Sequence, residues 1–404
     1  MTRYTCHLAI NDGARKSLTY GPAQVAVLDD VACQSARRTI SGWPGYEATP
    51  LVALPGLARD LGVGAIHYKD EAGRFGLGSF KALGGAYAVA RLIAREVARR
   101  AGDETVTPDR ILAGDYREIA SSITVCCATD GNHGRSVAWG ARTYGCKCVI
   151  FIHATVSEGR AKAIEGFGAR LVRTTGNYDD SVREAQDSAD REGWFVVSDT
   201  SYEDYLDVPR DVMTGYTVMA AEVDEQKPYD GPPSHIFIQT GVGGLAAAVA
   251  SEFWRRYGPA RPTTILCDPE NAACWWQSIR SGRPTTIDSD LETVMAGLAC
   301  GEVSILAWAI LGPGADAVMT IRDDDAKDCM RLLADARHGD SPLVAGESAV
   351  AGLAGLISAA GDGTARKALE LSNNSRVLLF GTEGATDPDV YEMIVGRPAS
   401  QIGR

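Results

Sequence analysis

Short apolar segments alternate with longer alanine-rich or amphipathic segments through most of the chain. The apolar segments predict strands at Ile123–Thr129, Cys146–Ile152, Arg170–Thr174, Trp194–Ser198, His235–Gln239, Thr264–Cys267 and Arg376–Phe380. The segments between them predict helices at Ala82–Arg100, Asn132–Tyr144, Ser157–Phe167, Asp179–Glu192 and Leu245–Tyr257. Strands that alternate with helices at this spacing form βα units, and nearly continuous apolar strands are typical of parallel sheets covered on both faces. The pattern therefore predicts an α/β fold with parallel-rich sheets.

Length and charge narrow the functional classes. A chain of 404 residues is expected to form two or three lobes. The net charge is −12 and no long run of Lys or Arg occurs, so the electrostatic footprint of a nucleic-acid-binding protein is missing. No apolar stretch reaches about 18 residues, and the N-terminal segment lacks the apolar core of a signal peptide. We therefore expect a cytoplasmic protein with neither nucleic acid nor membrane as a partner.

The ten cysteines do not form a recognisable metal or disulfide pattern. No C-x-x-C pair occurs, and nearby histidines do not supply the four ligands that zinc needs. In a reducing compartment these cysteines should be mostly free thiols. We therefore expect no metal, and a pairing of Cys274 with Cys300 stays open.

A glycine-rich segment delivers a lysine to the start of a predicted helix. Gly73–Lys81 reads GRFGLGSFK, and alanines and glycines follow it. A lysine near a helix N-terminus in a desolvated pocket suits Schiff-base chemistry, whereas most lysines are simply solvated. The apolar and glycine-rich surroundings favour the chemical interpretation of Lys81.

Polar or glycine-rich turns follow three of the predicted strands. Ala128–Gly134 reads ATDGNHG and offers backbone N–H groups to an anion, although a plain helix N-cap by Thr129 or Asp130 would give the same pattern. Thr240–Leu245 reads TGVGGL and predicts a phosphate cradle; it matches neither a dinucleotide fingerprint nor a P-loop. Phe380–Gly384 ends a late strand, where open α/β sheets bind ligands.

The order of these four features resembles the fold-type II pyridoxal phosphate (PLP) enzymes. The resemblance implies two α/β domains with PLP in the cleft between them: a large domain from residues 1–84 and 196–404, and a small one from 85–195. It implies that Lys81 is the Schiff-base lysine, that Phe80 packs against the ring and that Asn132 binds the phenolic oxygen. Thr382 would face the pyridine nitrogen. The implied phosphate-binding residues are Gly241, Val242, Gly243, Gly244 and Leu245.

Longer motifs are similar to the diaminopropionate ammonia-lyase family. They are TDGNHG at Thr129–Gly134, SDTSYEDY at Ser198–Tyr205, TVMAGLACGE at Thr293–Glu302, AGES at Ala345–Ser348 and TEGATDP at Thr382–Pro388. The similarity extends from about residue 40 to 390, nearly the whole chain. The chain departs from the family pattern at Gly244, Leu245, Ala349 and Ala385.

This resemblance implies a PLP-dependent carbon–nitrogen lyase and a homodimer. The reaction would be α,β-elimination of 2,3-diaminopropionate to pyruvate and two ammonia molecules. Lys81 would take the Cα proton of the L isomer, and Asp130 that of the D isomer, so that both enantiomers react. The implied substrate-binding residues are Thr129, Asn132, His133 and Asp199, with Asp199 pairing with the distal ammonium.

Other activities of the same fold stay open. They are serine or threonine deamination, and β-replacement in a specialised pathway. The carboxylate of Asp130 argues against ordinary threonine deamination, where a small residue occupies this position, whereas the departures from the family pattern keep β-replacement open. A non-catalytic ligand sensor is disfavoured because Lys81, Asn132 and Thr382 are all present.

Overall fold

The computed structural model describes residues 4–129 and 131–403. The strands are β1 (His7–Ile10), β2 (Leu51–Ala53), β3 (Ala65–Asp70), β4 (Thr124–Ala128), β5 (Lys147–Ile152), β6 (Arg170–Arg173), β7 (Phe195–Val196), β8 (His235–Gln239), β9 (Thr263–Pro269), β10 (Ala317–Ile321) and β11 (Arg376–Gly381). The helices are α1 (Pro22–Val25), α2 (Asp30–Ser41), α3 (Pro55–Leu61), α4 (Lys81–Ala101), α5 (Pro108–Leu112), α6 (Arg117–Ser121), α7 (Asn132–Tyr144), α8 (Glu158–Glu165), α9 (Tyr178–Glu192), α10 (Asp207–Gln226), α11 (Gly244–Tyr257), α12 (Cys274–Ser281), α13 (Ile305–Gly314), α14 (Asp323–Ala334), α15 (Ala351–Gly361), α16 (Gly363–Ala368) and α17 (Pro388–Val395).

The chain divides into two compact units. In the described part of the chain, unit 1 consists of residues 4–30, 48–78 and 219–403, and unit 2 of residues 31–47 and 79–218. Unit 2 contains the segment 85–195 that the sequence predicts as the small domain, and it also takes in residues on both sides of that segment. The domain limits given from the sequence stay a prediction.

Unit 1 is built around a seven-stranded sheet with the order β1-β10-β9-β8-β11-β3-β2. The five inner strands are parallel, and the edge strands β1 and β2 are antiparallel to their neighbours. Every residue of β8 and β10 is buried, because helices cover both faces of the sheet. The carboxyl ends of β8 and β11 are neighbours, which brings the turns after these two strands together.

A buried ionic network fixes the part of unit 1 that precedes Lys81 in the chain. The Lys69 ammonium lies 2.7 Å from the Glu222 carboxylate, and the Arg74 guanidinium binds both Glu222 and Glu71 at 2.7–2.8 Å. Burial would raise the pKa of Glu222, but Arg74 and Lys69 outweigh it and hold this pKa below its usual value. The two cations and two anions balance in charge, so the turn that carries Glu71 and Arg74 is held to helix α10.

Unit 2 contains a four-stranded parallel sheet with the order β6-β5-β4-β7. Cys126, Val149, Phe151, Ala185 and Ala189 form a buried core between this sheet and α9. Two adjacent glycines then bring three helices together at the start of α4. A Cβ at Gly84 would overlap the Tyr216 ring on α10, and one at Gly85 would overlap the Ser136 hydroxyl on α7. The first turn of α4, which carries Lys81, is therefore held between α10 and α7.

All seven predicted strands and all five predicted helices are present, and their ends differ from the predictions by at most two residues. Strand β8 and helix α7 have the predicted limits. The sequence analysis missed strands β1, β2, β3 and β10. Two of these, β1 and β2, are short antiparallel edge strands and do not belong to the regular alternation of strands and helices.

The remaining expectations concern cysteines, metals and membranes. All ten cysteines are free thiols, including Cys274 and Cys300, so the open pairing of these two is not formed here. Within residues 4–129 and 131–403, no cluster of three or more His, Cys, Asp or Glu side chains could hold a metal ion. No described helix has both the length and the apolar character needed to cross a bilayer.

Candidate active site

An ion pair joins Lys81 and Asp199 in unit 2. Nζ of Lys81, the first residue of α4, lies 2.6 Å from Oδ2 of Asp199, which follows β7. Both side chains are about one-fifth exposed, so a small ligand can reach them. Burial would raise the pKa of Asp199, but the Lys81 ammonium outweighs it and holds this pKa well below its usual range. Asp199 is thus a carboxylate whose partner is a primary ammonium.

His133 is a neutral neighbour of this pair. Its Nε2 lies 2.8 Å from the Val197 carbonyl oxygen, and its Nδ1 is 4.0 Å from Oδ2 of Asp199. Because a carbonyl oxygen only accepts, Nε2 carries the ring proton. Burial lowers the pKa of His133, with the nearby Asp199 carboxylate opposing the shift. His133 therefore holds the segment leading to Asp199 without adding a positive charge.

Tyr205 closes the loop that carries Asp199. Its hydroxyl donates to the Val196 carbonyl oxygen at 2.9 Å and accepts from the Ser198 N–H at 3.0 Å. Both partners lie within three residues of Asp199, so a single buried hydroxyl fixes the path of the chain there. The motif SDTSYEDY therefore contains both the carboxylate and the residue that positions it.

The turn between β4 and α7 is shaped by Thr129. Its hydroxyl oxygen accepts from the N–H groups of Gly131 and Gly134, both at 3.0 Å. The N-cap residue of α7 is Gly131, so Thr129 is not the N-cap, although its hydroxyl oxygen does accept from an N–H of the first turn. A substrate contact of Thr129 stays a prediction. Asn132 is the first residue of α7. Asp130 lies outside the described residues.

Phe80 packs inside unit 2 beside the lysine. Its ring centroid is 4.6 Å from that of Tyr216, and Nζ of Lys81 lies 5.5 Å from the Phe80 centroid. The pKa of Tyr216 is raised by burial. The predicted packing of Phe80 against the PLP ring stays a prediction, whereas its packing against Tyr216 is a contact that sequence reasoning missed.

The predicted phosphate loop lies in unit 1, between β8 and α11. Within the described residues, no acceptor faces the backbone N–H groups of Gly241, Val242, Gly243, Gly244 and Leu245. Gly243 and Gly244 are buried, and a buried N–H without an acceptor is costly. These groups stand at the N-terminus of α11, where the helix dipole also favours an anion.

The carbonyl side of this loop is tied to its neighbours. The Trp275 indole N–H donates to the Gly241 carbonyl oxygen at 3.0 Å, and the Ser304 N–H donates to that of Val242 at 2.9 Å. Gly243 has a φ of +99°, and a Cβ there would overlap the Trp275 ring. The carbonyl oxygens therefore hold the loop in place, while its backbone N–H groups remain available to a ligand.

A buried carboxyl group, that of Asp268, binds the residue that precedes the phosphate loop. Asp268, at the end of β9, accepts from the Thr240 hydroxyl and, at 2.9 Å, from the Trp276 N–H. Burial raises the pKa of Asp268 to about 7. Asp268 thus connects the phosphate loop to helix α12, a link between residues 28 apart in sequence.

Gln239 sets the direction of the Thr382 hydroxyl. The Gln239 amide nitrogen donates to the Phe380 carbonyl oxygen at 2.8 Å and to Oγ1 of Thr382 at 2.7 Å. Because the carbonyl oxygen only accepts, the amide nitrogen must face it, and Thr382 must accept from the same nitrogen. No described residue accepts the Thr382 hydroxyl proton, which is left for a ligand.

Three of the long family motifs contact one another in unit 1. The Glu383 carboxylate accepts from the Ser348 N–H at 3.1 Å, and the Ser348 hydroxyl oxygen accepts from the Gly297 N–H at 3.0 Å. A Cβ at Gly241 would lie 3.3 Å from the Gly297 carbonyl oxygen. These three motifs therefore form one connected group, and the motif with Gly297 packs directly against the phosphate loop.

The residues present fit PLP. The N–H groups of Gly241–Leu245 lack the acceptor that a phosphate supplies, and the Thr382 proton lacks the acceptor that a pyridine nitrogen supplies. Lys81 has the primary amine that a Schiff base with the cofactor's aldehyde would require. The role of each residue stays a prediction.

Sequence reasoning missed Gln239, Asp268, Tyr205 and Tyr216. Tyr205 lies within a motif that was singled out, and Gln239 directly precedes the phosphate loop, so position gave a signal for these two. Asp268 and Tyr216 carry no signal, because their importance depends on contacts with residues distant in sequence.

Known proteins are similar to this chain in sequence and in fold. Residues 43–383 match the family described as pyridoxal-phosphate dependent enzymes. The diaminopropionate ammonia-lyase of Salmonella typhimurium is 37% identical over 366 residues, which cover 88% of this chain and 90% of the relative. The crystal structure of Escherichia coli diaminopropionate ammonia lyase in complex with D-serine is similar, with a TM-score of 0.87, 33% identity and 98% of each chain covered. The structure of the same E. coli enzyme in complex with an aminoacrylate-PLP azomethine reaction intermediate has a TM-score of 0.85, with 33% identity and 97% of each chain covered.

The Gln239–Thr382 hydrogen bond predicts an order of PLP affinities. We expect Gln239→Met to weaken PLP binding slightly, because the hydroxyl loses the donor that orients it. We expect Gln239→Glu to weaken it about tenfold, because a carboxylate would itself accept the Thr382 proton. The measurement is the dissociation constant of PLP from titration of the apoenzyme.

Gln277→Glu is the matched control, because this exposed glutamine lies outside the loop. Its PLP affinity should equal that of the wild-type protein. Equal affinities for wild type and both Gln239 variants would contradict the assignment of Gln239 as a positioning residue.

Proposed function

Because this chain belongs to the pyridoxal-phosphate dependent enzyme family, we propose that it is a carbon–nitrogen lyase that converts 2,3-diaminopropionate and water to pyruvate and two ammonia molecules. The observation that carries the proposal is the pairing of Asp199 with a primary ammonium at 2.6 Å. Diaminopropionate carries an ammonium on Cβ, which is the same chemical group. The relatives named diaminopropionate ammonia-lyase, 37% identical over most of the chain, support this choice of substrate.

The cofactor would be held by the residues already described. Gly241–Leu245 would bind its phosphate, Thr382 its ring nitrogen and Asn132 its phenolic oxygen, and Lys81 would attach it to the chain. When bound, PLP supplies an electron sink for the negative charge that develops at Cα. The Thr382 hydroxyl donates a hydrogen bond but not a proton to the ring nitrogen, and this favours prompt elimination over transamination.

Asp199 would bind the distal ammonium of the substrate. Once Lys81 is attached to the cofactor, its ammonium no longer pairs with this carboxylate, and the substrate ammonium takes its place. The substrate ammonium would then favour the ionised form of Asp199 as the Lys81 ammonium does here, so the carboxylate would accept a hydrogen bond without removing the proton. The leaving group therefore keeps all three protons and departs as neutral ammonia when the Cβ–N bond breaks.

This arrangement disfavours serine. A hydroxyl leaves readily only when it gains a proton, and an ionised carboxylate has none to give. His133 carries its proton on the nitrogen that faces the Val197 carbonyl oxygen, so it presents no proton towards Asp199. The surroundings of Asp199 thus suit a leaving group that brings its own proton.

Two bases would allow both enantiomers to react. Lys81 would remove the Cα proton of the L isomer, and Asp130 that of the D isomer. The basis for Asp130 is the TDGNHG motif shared with the diaminopropionate ammonia-lyase family.

The proposal includes a homodimer in the cytoplasm. Homodimers are common among enzymes of this fold. Ten free cysteines are compatible with a reducing compartment.

A substrate panel tests the proposed activity. Purified PLP-loaded protein should release pyruvate from L- and D-diaminopropionate well above its rate with L-serine or D-serine, and should form little 2-oxobutyrate from L-threonine. Lys81→Ala, the control, should lack both turnover and the absorbance band of lysine-bound cofactor. Faster turnover of serine or threonine would contradict the proposal, and so would a substrate-induced spectral change without any keto acid, which is typical of β-replacement.

Asp199→Asn tests the origin of substrate preference. We expect kcat/KM for diaminopropionate to fall about 10- to 100-fold, because a charge-assisted hydrogen bond contributes about 1.5–3 kcal/mol. The value for serine, which has no distal ammonium, should change far less. Asp204→Asn, at an exposed position in the same loop, is the matched control. Equal losses for both substrates would contradict the ammonium contact.

Asp130→Asn tests the second base. Turnover of the D isomer should fall by about 10²- to 10⁴-fold, the usual contribution of a general base, while the L isomer keeps most of its rate. The measurement is pyruvate release from each pure enantiomer. If both isomers lose activity equally, Asp130 does not act on one enantiomer alone.

A further inference from the structure

Unit 2 contains a pocket at the amino-terminal edge of its sheet. The pocket has a volume of about 860 Å³, within the range of small-molecule sites. Thr124, Lys147 and Arg170 line it, and these are the first residues of β4, β5 and β6. Thr129 and Asp199 follow the carboxyl ends of β4 and β7, so the pocket lies at the opposite edge of the sheet from them.

The pocket is strongly cationic. Arg142, Lys147 and Arg170 line it, and no Asp or Glu is among the described lining residues. The side chains of these three cations form no ion pair or hydrogen bond with any residue in the described part of the chain. Arg173 and Arg183, elsewhere in unit 2, pair with Glu158 and Asp180 at 2.6 and 2.5 Å. Three cations without counter-charges in a protein of net charge −12 indicate a place for an anion.

Aromatic rings hold the two guanidinium groups in place. The Arg142 guanidinium carbon lies 4.7 Å from the Phe167 ring centroid, and that of Arg170 lies 5.3 Å from the Trp194 centroid. A guanidinium stacked on a ring keeps its N–H groups free for a phosphate or carboxylate and loses less conformational freedom when it binds one. The pocket is thus organised before any ligand arrives.

We propose that this pocket binds a small organic anion that carries two or more phosphate or carboxylate groups. Three separate cations favour several oxyanion groups over a single one. The limited volume and the acidic chain favour a small molecule over a nucleic acid. The proposal does not rest on the proposed lyase activity, because none of the lining residues belongs to the candidate active site.

Calorimetric titration of the PLP-loaded protein at low salt tests this site. The loaded protein is used so that the cofactor phosphate already occupies the Gly241–Leu245 loop. Pyrophosphate represents phosphate ligands and citrate represents carboxylate ligands. We expect at least one to bind, and R142Q/R170Q to weaken that binding by about tenfold or more. The control R117Q/R183Q removes the same charge outside the pocket and should bind as the wild type does.

Lys147→Gln provides a second test with a single substitution; Lys147 is exposed, as Arg142 and Arg170 are, and it makes no ring contact with a described residue that the substitution would remove. It should weaken anion binding by several-fold. Binding of pyrophosphate alone would assign the site to phosphates, and binding of citrate alone to carboxylates. If neither probe binds, or if binding survives in both R142Q/R170Q and Lys147→Gln, the proposal is wrong.

Discussion

The close packing of unit 2 around Lys81 and Asp199 is the constraint on which their ion pair depends. A reactive lysine must be accessible, and an accessible lysine is mobile unless its surroundings fix it. Here Gly84 and Gly85 allow α10 and α7 to pack directly against the start of α4, while Tyr205 and His133 fix the loop of Asp199. Both halves of the ion pair are therefore positioned by neighbours that do not take part in it. The same close packing explains why the alanine- and glycine-rich segment after Lys81 is needed.

Unit 1 contains the loop that we propose as the phosphate site, and residues 241–245 of this loop have no charged side chain. The carbonyl groups of Gly241 and Val242 are tied to Trp275 and Ser304, so the loop keeps its shape and its N–H groups remain available. A cation in this position would bind any anion, whereas fixed N–H groups bind one of matching shape. Asp268 is not part of the loop, but its carboxyl group accepts from the hydroxyl of Thr240, the residue that precedes Gly241.

The sequence was sufficient for features that depend on local pattern, and insufficient for those that depend on distant contacts. Strand β8, helix α7, the position of Lys81 at the start of a helix and the glycine-rich turn after β8 could be predicted because periodicity and turn chemistry are local. Strand β3 could not, because its buried Lys69 is stable only beside Glu222, more than 150 residues later. Gln239 and Thr382 are likewise 143 residues apart, and only the adjacency of β8 and β11 joins them.

The polar groups around Asp199 suggest how one fold can distinguish elimination of an ammonium from elimination of a hydroxyl. The difference lies in whether the leaving group or the protein carries the proton. An ammonium already carries the proton with which it departs, whereas a hydroxyl must receive one. A site for hydroxyl elimination therefore needs an acid, and a site for ammonium elimination needs a carboxylate that stays ionised. A primary ammonium keeps the pKa of Asp199 low, as Lys81 does in this structure, and the Val197 carbonyl oxygen directs the His133 proton away from the carboxylate. A change that raised the pKa of Asp199 would increase its protonated fraction. The protonated carboxyl group would bind an ammonium more weakly, and it would be the acid that a hydroxyl leaving group requires.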